Sequence, residues 1–138
     1  MVVLVVEDEV IIACCSAAML EDAGHAVLGP AHTAGDALEL ARQHRPDVAL
    51  IDIDLELPGV GIGLAHQLNG QYGTAIIFTT GRLDLAHAHS DMAVAVLTKP
   101  YDPADLPAIV ASAGAKRGAS ATHARNTNFT DVPLTSSR

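Results

Sequence analysis

The sequence predicts an α/β protein: a doubly wound parallel sheet of five strands with helices on both faces. Three observations carry that prediction. Five short apolar runs rich in Val and Ile recur along the chain. Segments with apolar residues at helical spacing separate them. The runs themselves are apolar on both faces, as strands covered from both sides must be. A chain alternating in this way joins parallel neighbours by right-handed crossovers.

The strands are expected at residues 2–6, 26–28, 48–53, 75–79 and 94–97. The first helix begins with Val10, Ile11, Cys14, Ala17, Ala18 and Glu21, and ends at Gly24, which suits the position after a C-cap. Thr33, followed three residues later by Asp36, resembles a capping box opening the second, whose apolar positions are Ala37, Leu38 and Ala41. Pro46 prevents that helix from continuing. Ile62, Ala65, His66 and Leu68 mark a third, and residues 83–92 a weaker fourth. The fifth has the best start signals: Asp102 as N-cap, Pro103 at the first helical position, Asp105 at N3, then Leu106, Ile109 and Val110. The folded domain is thus expected at residues 1–114. Residues 115–138, rich in Ser, Thr, Ala, Asn and Arg, read as a flexible tail.

Composition narrows the function. The net charge is −8, and no basic run exceeds Lys116-Arg117. Nucleic-acid binding is therefore not expected, because phosphate contacts need clustered Lys and Arg. No stretch approaches the ~18 apolar residues of a membrane span. The apolar run at residues 2–6 is too short for a signal sequence and lacks the basic flank. Cys14 and Cys15 are adjacent, so no disulfide framework exists. The expectation is a soluble, reduced, cytoplasmic protein that acts on protein partners.

In open parallel sheets, ligands bind beyond the carboxyl ends of the strands. Glu7, Asp8 and Glu9 follow the first strand, and Asp52, Ile53 and Asp54 close the third. Thr79, Thr80 and Gly81 end the fourth, and Thr98, Lys99 and Pro100 the fifth. Carboxylates crowded together repel unless a cation neutralises them, and hard oxygen ligands suit Mg²⁺. A carboxylate beside a cation, a lysine and a hydroxyl has what it needs to receive a phosphoryl group. Thr80 is taken as functional and Thr79 as a strand residue.

The order Glu7-Asp8, Asp52, Thr80 and Lys99-Pro100 resembles the receiver domain of two-component response regulators over residues 2–113. The resemblance implies a CheY-like, flavodoxin-like fold with strand order 2-1-3-4-5. It further implies that Asp52 accepts a phosphoryl group from a histidine kinase or a histidine phosphotransfer protein. Asp8 would bind Mg²⁺ directly, Glu7 through water, Asp52 by its carboxylate and Asp54 by its backbone carbonyl. Thr80 would bond a phosphoryl oxygen after activation, Lys99 would pair with the phosphoryl group, and Pro100 would follow a cis peptide bond. On this reading the chain is a stand-alone, non-enzymatic switch that supports only its own phosphoryl transfer and dephosphorylation. It would act on a downstream protein target as a monomer or as a phosphorylation-dependent dimer. Its output face would lie around the fourth helix, fifth strand and fifth helix.

The sequence departs from the family pattern twice. Strand spacing after Pro46-Asp47 favours Asp52 as acceptor, whereas counting back from Leu57-Pro58-Gly59 points to Asp54. Val96 replaces the usual aromatic ring of the fifth strand. Phe78-Thr79-Thr80-Gly81 resembles the Phe-Ala-Thr-Gly segment of the "FAT GUY" single-domain regulators of alphaproteobacterial stress signalling, which also lack that ring, although Arg82 does not continue their motif. Two alternatives stay open. One is a pseudo-receiver that binds partners without phosphorylation. The other is a haloacid-dehalogenase-like phosphatase using Asp52-Ile53-Asp54 as an Asp-x-Asp nucleophile motif, against which the order of the acidic groups argues.

Overall fold

The structure, a computed structural model, describes residues 1–88 and 91–123. Strand and helix alternate along the chain: β1 (Val2–Val6), α1 (Val10–Asp22), β2 (Ala26–Ala31), α2 (Ala34–His44), β3 (Val48–Asp52), α3 (Val60–Tyr72), β4 (Ala75–Thr80), α4 (Leu83–Ala88) and β5 (Ala95–Thr98). A 3₁₀ turn at Pro103–Asp105 then leads into α5 (Leu106–His123). The strands form one parallel sheet in the order β2-β1-β3-β4-β5, the CheY-like flavodoxin arrangement.

Strict alternation of side chains across the pleat divides the core into two layers. Leu4, Val6, Ala49, Ile51, Ile76, Phe78 and Val96 pack with Ala37 and Ala41 of α2 and Leu64, Ala65 and Leu68 of α3. Val3, Val5, Val48, Leu50, Ile77, Ala95 and Leu97 pack with Leu20 of α1 and Leu106, Val110 and Ala113 of α5. Both faces are sealed, which is why the strand runs carry so few polar residues.

The local signals of the sequence act where expected. Gly24 follows the C-cap of α1 and donates to the Glu21 carbonyl at 2.9 Å. The Thr33 hydroxyl accepts from the Asp36 amide at 3.1 Å, and the Asp102 carboxylate accepts from the Ala104 amide at 2.9 Å.

Three expected boundaries are corrected. β2 does not stop at residue 28 but runs through Gly29-Pro30 to Ala31, with a cis peptide between those two residues. It lies at the sheet edge, where a proline without an N–H removes no ladder bond that the sheet needs, and the β1 register shifts opposite it between Leu4 and Val6. The fourth helix does not reach residue 92; it ends at Ala88, and Met92 packs onto the core from a turn. The expected tail boundary at residue 115 falls inside α5, which continues to His123, and residues 124–138 lie outside the described residues. The continuation has a partner. Arg117 donates to the Gly73 carbonyl at 2.8 Å and pairs with Asp47 at 3.1 Å, and Asp47 also accepts from the Val2 amide at 2.9 Å. The far end of α5 is thereby fastened to the amino ends of β1 and β3.

Phe78, fully buried in the layer beneath α3, is the largest side chain of the core. Phe78→Ala is expected to lower the unfolding free energy by about 3–5 kcal/mol, read from the midpoint of urea denaturation.

Candidate functional site

The winding of the sheet reverses at β1, whose neighbours β2 and β3 lie on opposite sides. A crevice opens there beyond the strand carboxyl ends. Glu7 follows β1, and its amide donates to the Ala31 carbonyl at 2.9 Å. Asp52 is the last residue of β3 and is 5% exposed. Lys99 follows β5, its amide donating to the Thr80 carbonyl at 2.8 Å, and the Lys99-Pro100 peptide is cis.

These elements bring four charged groups together. The Lys99 ammonium lies 3.0 Å from Glu7 Oε1, 3.1 Å from Asp52 Oδ2 and 3.4 Å from Glu9 Oε1. The other Asp52 oxygen, Oδ1, accepts from the Asp54 amide at 3.0 Å. Carboxylate oxygens of Glu7, Asp8 and Asp52 lie within 4.8 Å of one another. Burial pushes the Glu7 carboxyl up to about 7; the Lys99 ammonium and the Glu9 amide oppose the rise, and the Asp52 charge adds to it. Burial alone would lower the Lys99 pKa, but its bonds to Glu7 and Asp52 hold the ammonium above its ordinary value. A cluster of hard oxygen donors with excess negative charge fits a small divalent cation.

Asp52, at the end of β3, and Asp54, in the loop that follows, have different partners in the fold. Asp54 Oδ1 accepts from the Gly59 amide at 3.2 Å and closes the β3–α3 loop. Asp52 faces the lysine and the other acids. Thr80 is fully buried, and its hydroxyl oxygen accepts from the Arg82 amide at 3.0 Å. Thr79, paired in register with Asp52, is also buried, and its hydroxyl has no hydrogen-bond partner. Val96 is 1% exposed and packs in the same core layer as Phe78.

Sequence reasoning passed over three residues that shape this crevice. A Cβ on Gly61, in the first turn of α3, would stand 2.0 Å from the Asp52 carbonyl oxygen, so only glycine lets α3 approach the end of β3. The signal was a glycine near a helix start, which is common enough to be uninformative alone. His32 Nδ1 lies 2.8 Å from the Glu7 carbonyl oxygen, and nothing local marks a histidine there. Tyr101 bonds Ser16 of α1 at 2.9 Å, tying the β5–α5 connection to α1; burial raises the pKa of its phenol. Its place directly after Lys99-Pro100 was the available clue.

Known proteins resemble this chain in sequence and fold. Residues 3–111 match the model of the response regulator receiver domain, and the chain belongs to that family of two-component signalling proteins. It is 34% identical over 111 residues to the transcriptional regulatory protein PdtaR of Mycobacterium tuberculosis, covering 78% of this chain and 54% of that protein. It is 31% identical over 114 residues to the phyllosphere-induced regulator PhyR of Methylorubrum extorquens, covering 80% of this chain and 42% of PhyR. The chain therefore spans about half the length of these relatives. A CheY-like receiver structure from Methanospirillum hungatei superposes with a TM-score of 0.74 at 26% identity, covering 86% of this chain and 97% of that one. Receiver domains are typically not enzymes. Among the described residues no helix is long and apolar enough to cross a membrane.

The Gly61 contact yields a paired prediction. Gly61→Ala is expected to cost about 1–3 kcal/mol by overpacking. Gly63→Ala, where an added Cβ meets nothing within 4 Å, is expected to stabilise by about 0.5–1 kcal/mol. Urea denaturation of the two variants beside wild type checks both signs.

Proposed function

We propose that the chain is a phosphorylation switch of a two-component relay, with Asp52 as the phosphoryl acceptor. The observation that carries this reading is the Asp52 carboxylate, buried at a strand end, 3.1 Å from the Lys99 ammonium and within 4.8 Å of the Glu7 and Asp8 oxygens. The donor is a phosphohistidine on a histidine kinase or a histidine phosphotransfer protein. An Asp52 oxygen attacks the phosphorus, an O–P bond forms, the N–P bond breaks, and the imidazole leaves with the electron pair. Asp8, Asp52 and the Asp54 carbonyl would hold Mg²⁺, with Glu7 acting through water. The ion, when bound, neutralises charge on the phosphoryl oxygens. Lys99 is already paired with Asp52 and can follow a phosphoryl oxygen with little displacement.

Thr80 supplies the readout in this proposal. Its hydroxyl proton leaves the Arg82 carbonyl, 3.5 Å away, and donates to a phosphoryl oxygen, which loosens the turn between β4 and α4. Val96 has no ring to swing, so the change passes through that turn to a protein target on the α4–β5–α5 face. The acidic balance of the chain supports a protein target over a nucleic acid. The free thiols of Cys14 and Cys15 fit a reducing, cytoplasmic setting.

Acetyl phosphate with Mg²⁺, added to wild type, Asp52→Ala and Asp54→Ala, tests the proposal, with intact-mass spectrometry reading the added phosphoryl group. Incorporation is expected in wild type and Asp54→Ala and lost in Asp52→Ala. Loss only in Asp54→Ala would move the acceptor by two residues. No incorporation into folded wild type would favour the phosphorylation-independent adaptor, and turnover of a phosphate monoester would favour a phosphatase.

A further inference from the structure

The loop between β3 and α3 places Leu57-Pro58-Gly59 two positions later than an acceptor at Asp52 leads one to expect, and Glu56 lies within it. Glu56 is a non-glycine residue in the left-handed region, at φ 62°. Such a backbone favours glycine or asparagine, so some other interaction must hold a glutamate there.

Two hydrogen bonds do so, and they point in different directions. The Glu56 side chain accepts from the Ala34 amide, the first of α2, at 3.1 Å. That amide is one of the donors a helix start leaves unpaired, and the Thr33 hydroxyl, engaged with Asp36, does not use it. A carboxylate in this position is also favoured by the helix dipole. The Glu56 backbone amide in turn donates to Asp8 Oδ2 at 3.1 Å. The start of α2, the loop and the Asp8 carboxylate are thus linked in series through one residue.

We propose that Glu56 is a positioning residue for Asp8. Its side chain anchors the loop to α2, and its backbone amide, aimed by the left-handed turn, fixes the rotation of the Asp8 carboxylate toward Glu7 and Asp52. The inference rests on reading Glu7, Asp8 and Asp52 as a Mg²⁺ site. A carboxylate oriented before the ion arrives loses less rotational freedom on binding, so loosening the anchor weakens binding without removing a ligand.

Glu56→Gly and Glu56→Gln separate this role from a general effect on folding. Glycine accepts the left-handed backbone and keeps the amide but removes the anchor; glutamine keeps an acceptor for the Ala34 amide. Mg²⁺ affinity by calorimetry, backbone amide exchange of the metal-free proteins by NMR and urea midpoints are the three readouts. Glu56→Gly is expected to bind Mg²⁺ about three- to tenfold more weakly, the equivalent of one net hydrogen bond. The amides of residues 34 and 56 should exchange faster, with a urea midpoint no lower than wild type. Glu56→Gln should bind within about twofold of wild type, with both amides still protected. Wild-type affinity in Glu56→Gly, or an unchanged exchange rate at residue 56, would overturn the proposal. Failure of wild type to bind Mg²⁺ would instead remove the metal reading of the site, and the exchange rates would still decide whether Glu56 holds Asp8.

Discussion

Carboxylates buried side by side repel, and the Lys99 ammonium makes the arrangement at the mouth of the sheet tolerable. It reaches Glu7, Asp52 and Glu9 at once, from a strand two places removed from the one that ends in Asp52. Breaking a buried ion pair by removing one partner is costly, because the other charge is left without compensation. One lysine against this many acids still leaves the site short of positive charge; burial makes Glu7 hold its proton more tightly than an ordinary glutamate, and the nearby Asp52 charge adds to the effect. The same excess of negative charge would draw a small cation to the proposed metal site.

The remainder of the structure presents these groups without adding charge. The carboxyl ends of β1, β3 and β4 and the residue after β5 each contribute one part of the cluster or its hydroxyl. The strands stay level because both faces of the sheet are sealed by helices packed on aliphatic side chains. Gly61 lets α3 sit against the Asp52 carbonyl, and the bond between Tyr101 and Ser16 keeps α1 against the β5–α5 connection. Arg117 fastens the opposite end, so the carboxyl end of the sheet is left to the loops that carry the chemistry.

In the proposed switch, Thr80 and Val96 would govern how a change at Asp52 travels. The Thr80 hydroxyl is engaged with the backbone of Arg82, in the turn before α4, whereas Val96 is part of the packed core. A small aliphatic residue there fills its space in one way, so movement is left to the hydroxyl and its turn. The Thr79 hydroxyl, on the strand position paired with Asp52, has no hydrogen-bond partner, and nothing in the fold accounts for it.

The sequence by itself determined the alternation of elements and the helix caps, because each depends on neighbours a few residues apart. Thr33, Asp102 and Gly24 act through bonds to residues within three positions. That Glu7, Asp8, Asp52 and Lys99 meet was also legible, since parallel strands must all end at one edge of the sheet. Contacts between distant segments were not. The second strand was expected at residues 26–28, and its extension to Ala31 follows from its place at the sheet edge. The stretch from residue 115 read as tail until Arg117 met Asp47, 70 positions away. Spacing pulled both ways between Asp52 and Asp54, and their surroundings depend on the tertiary structure: Asp52 bonds Lys99, 47 positions away, and Asp54 bonds Gly59 in its own loop. Glu56 bridges 48 residues to Asp8 and 22 to Ala34, and a tie of that span arises only once the sheet has brought those segments together.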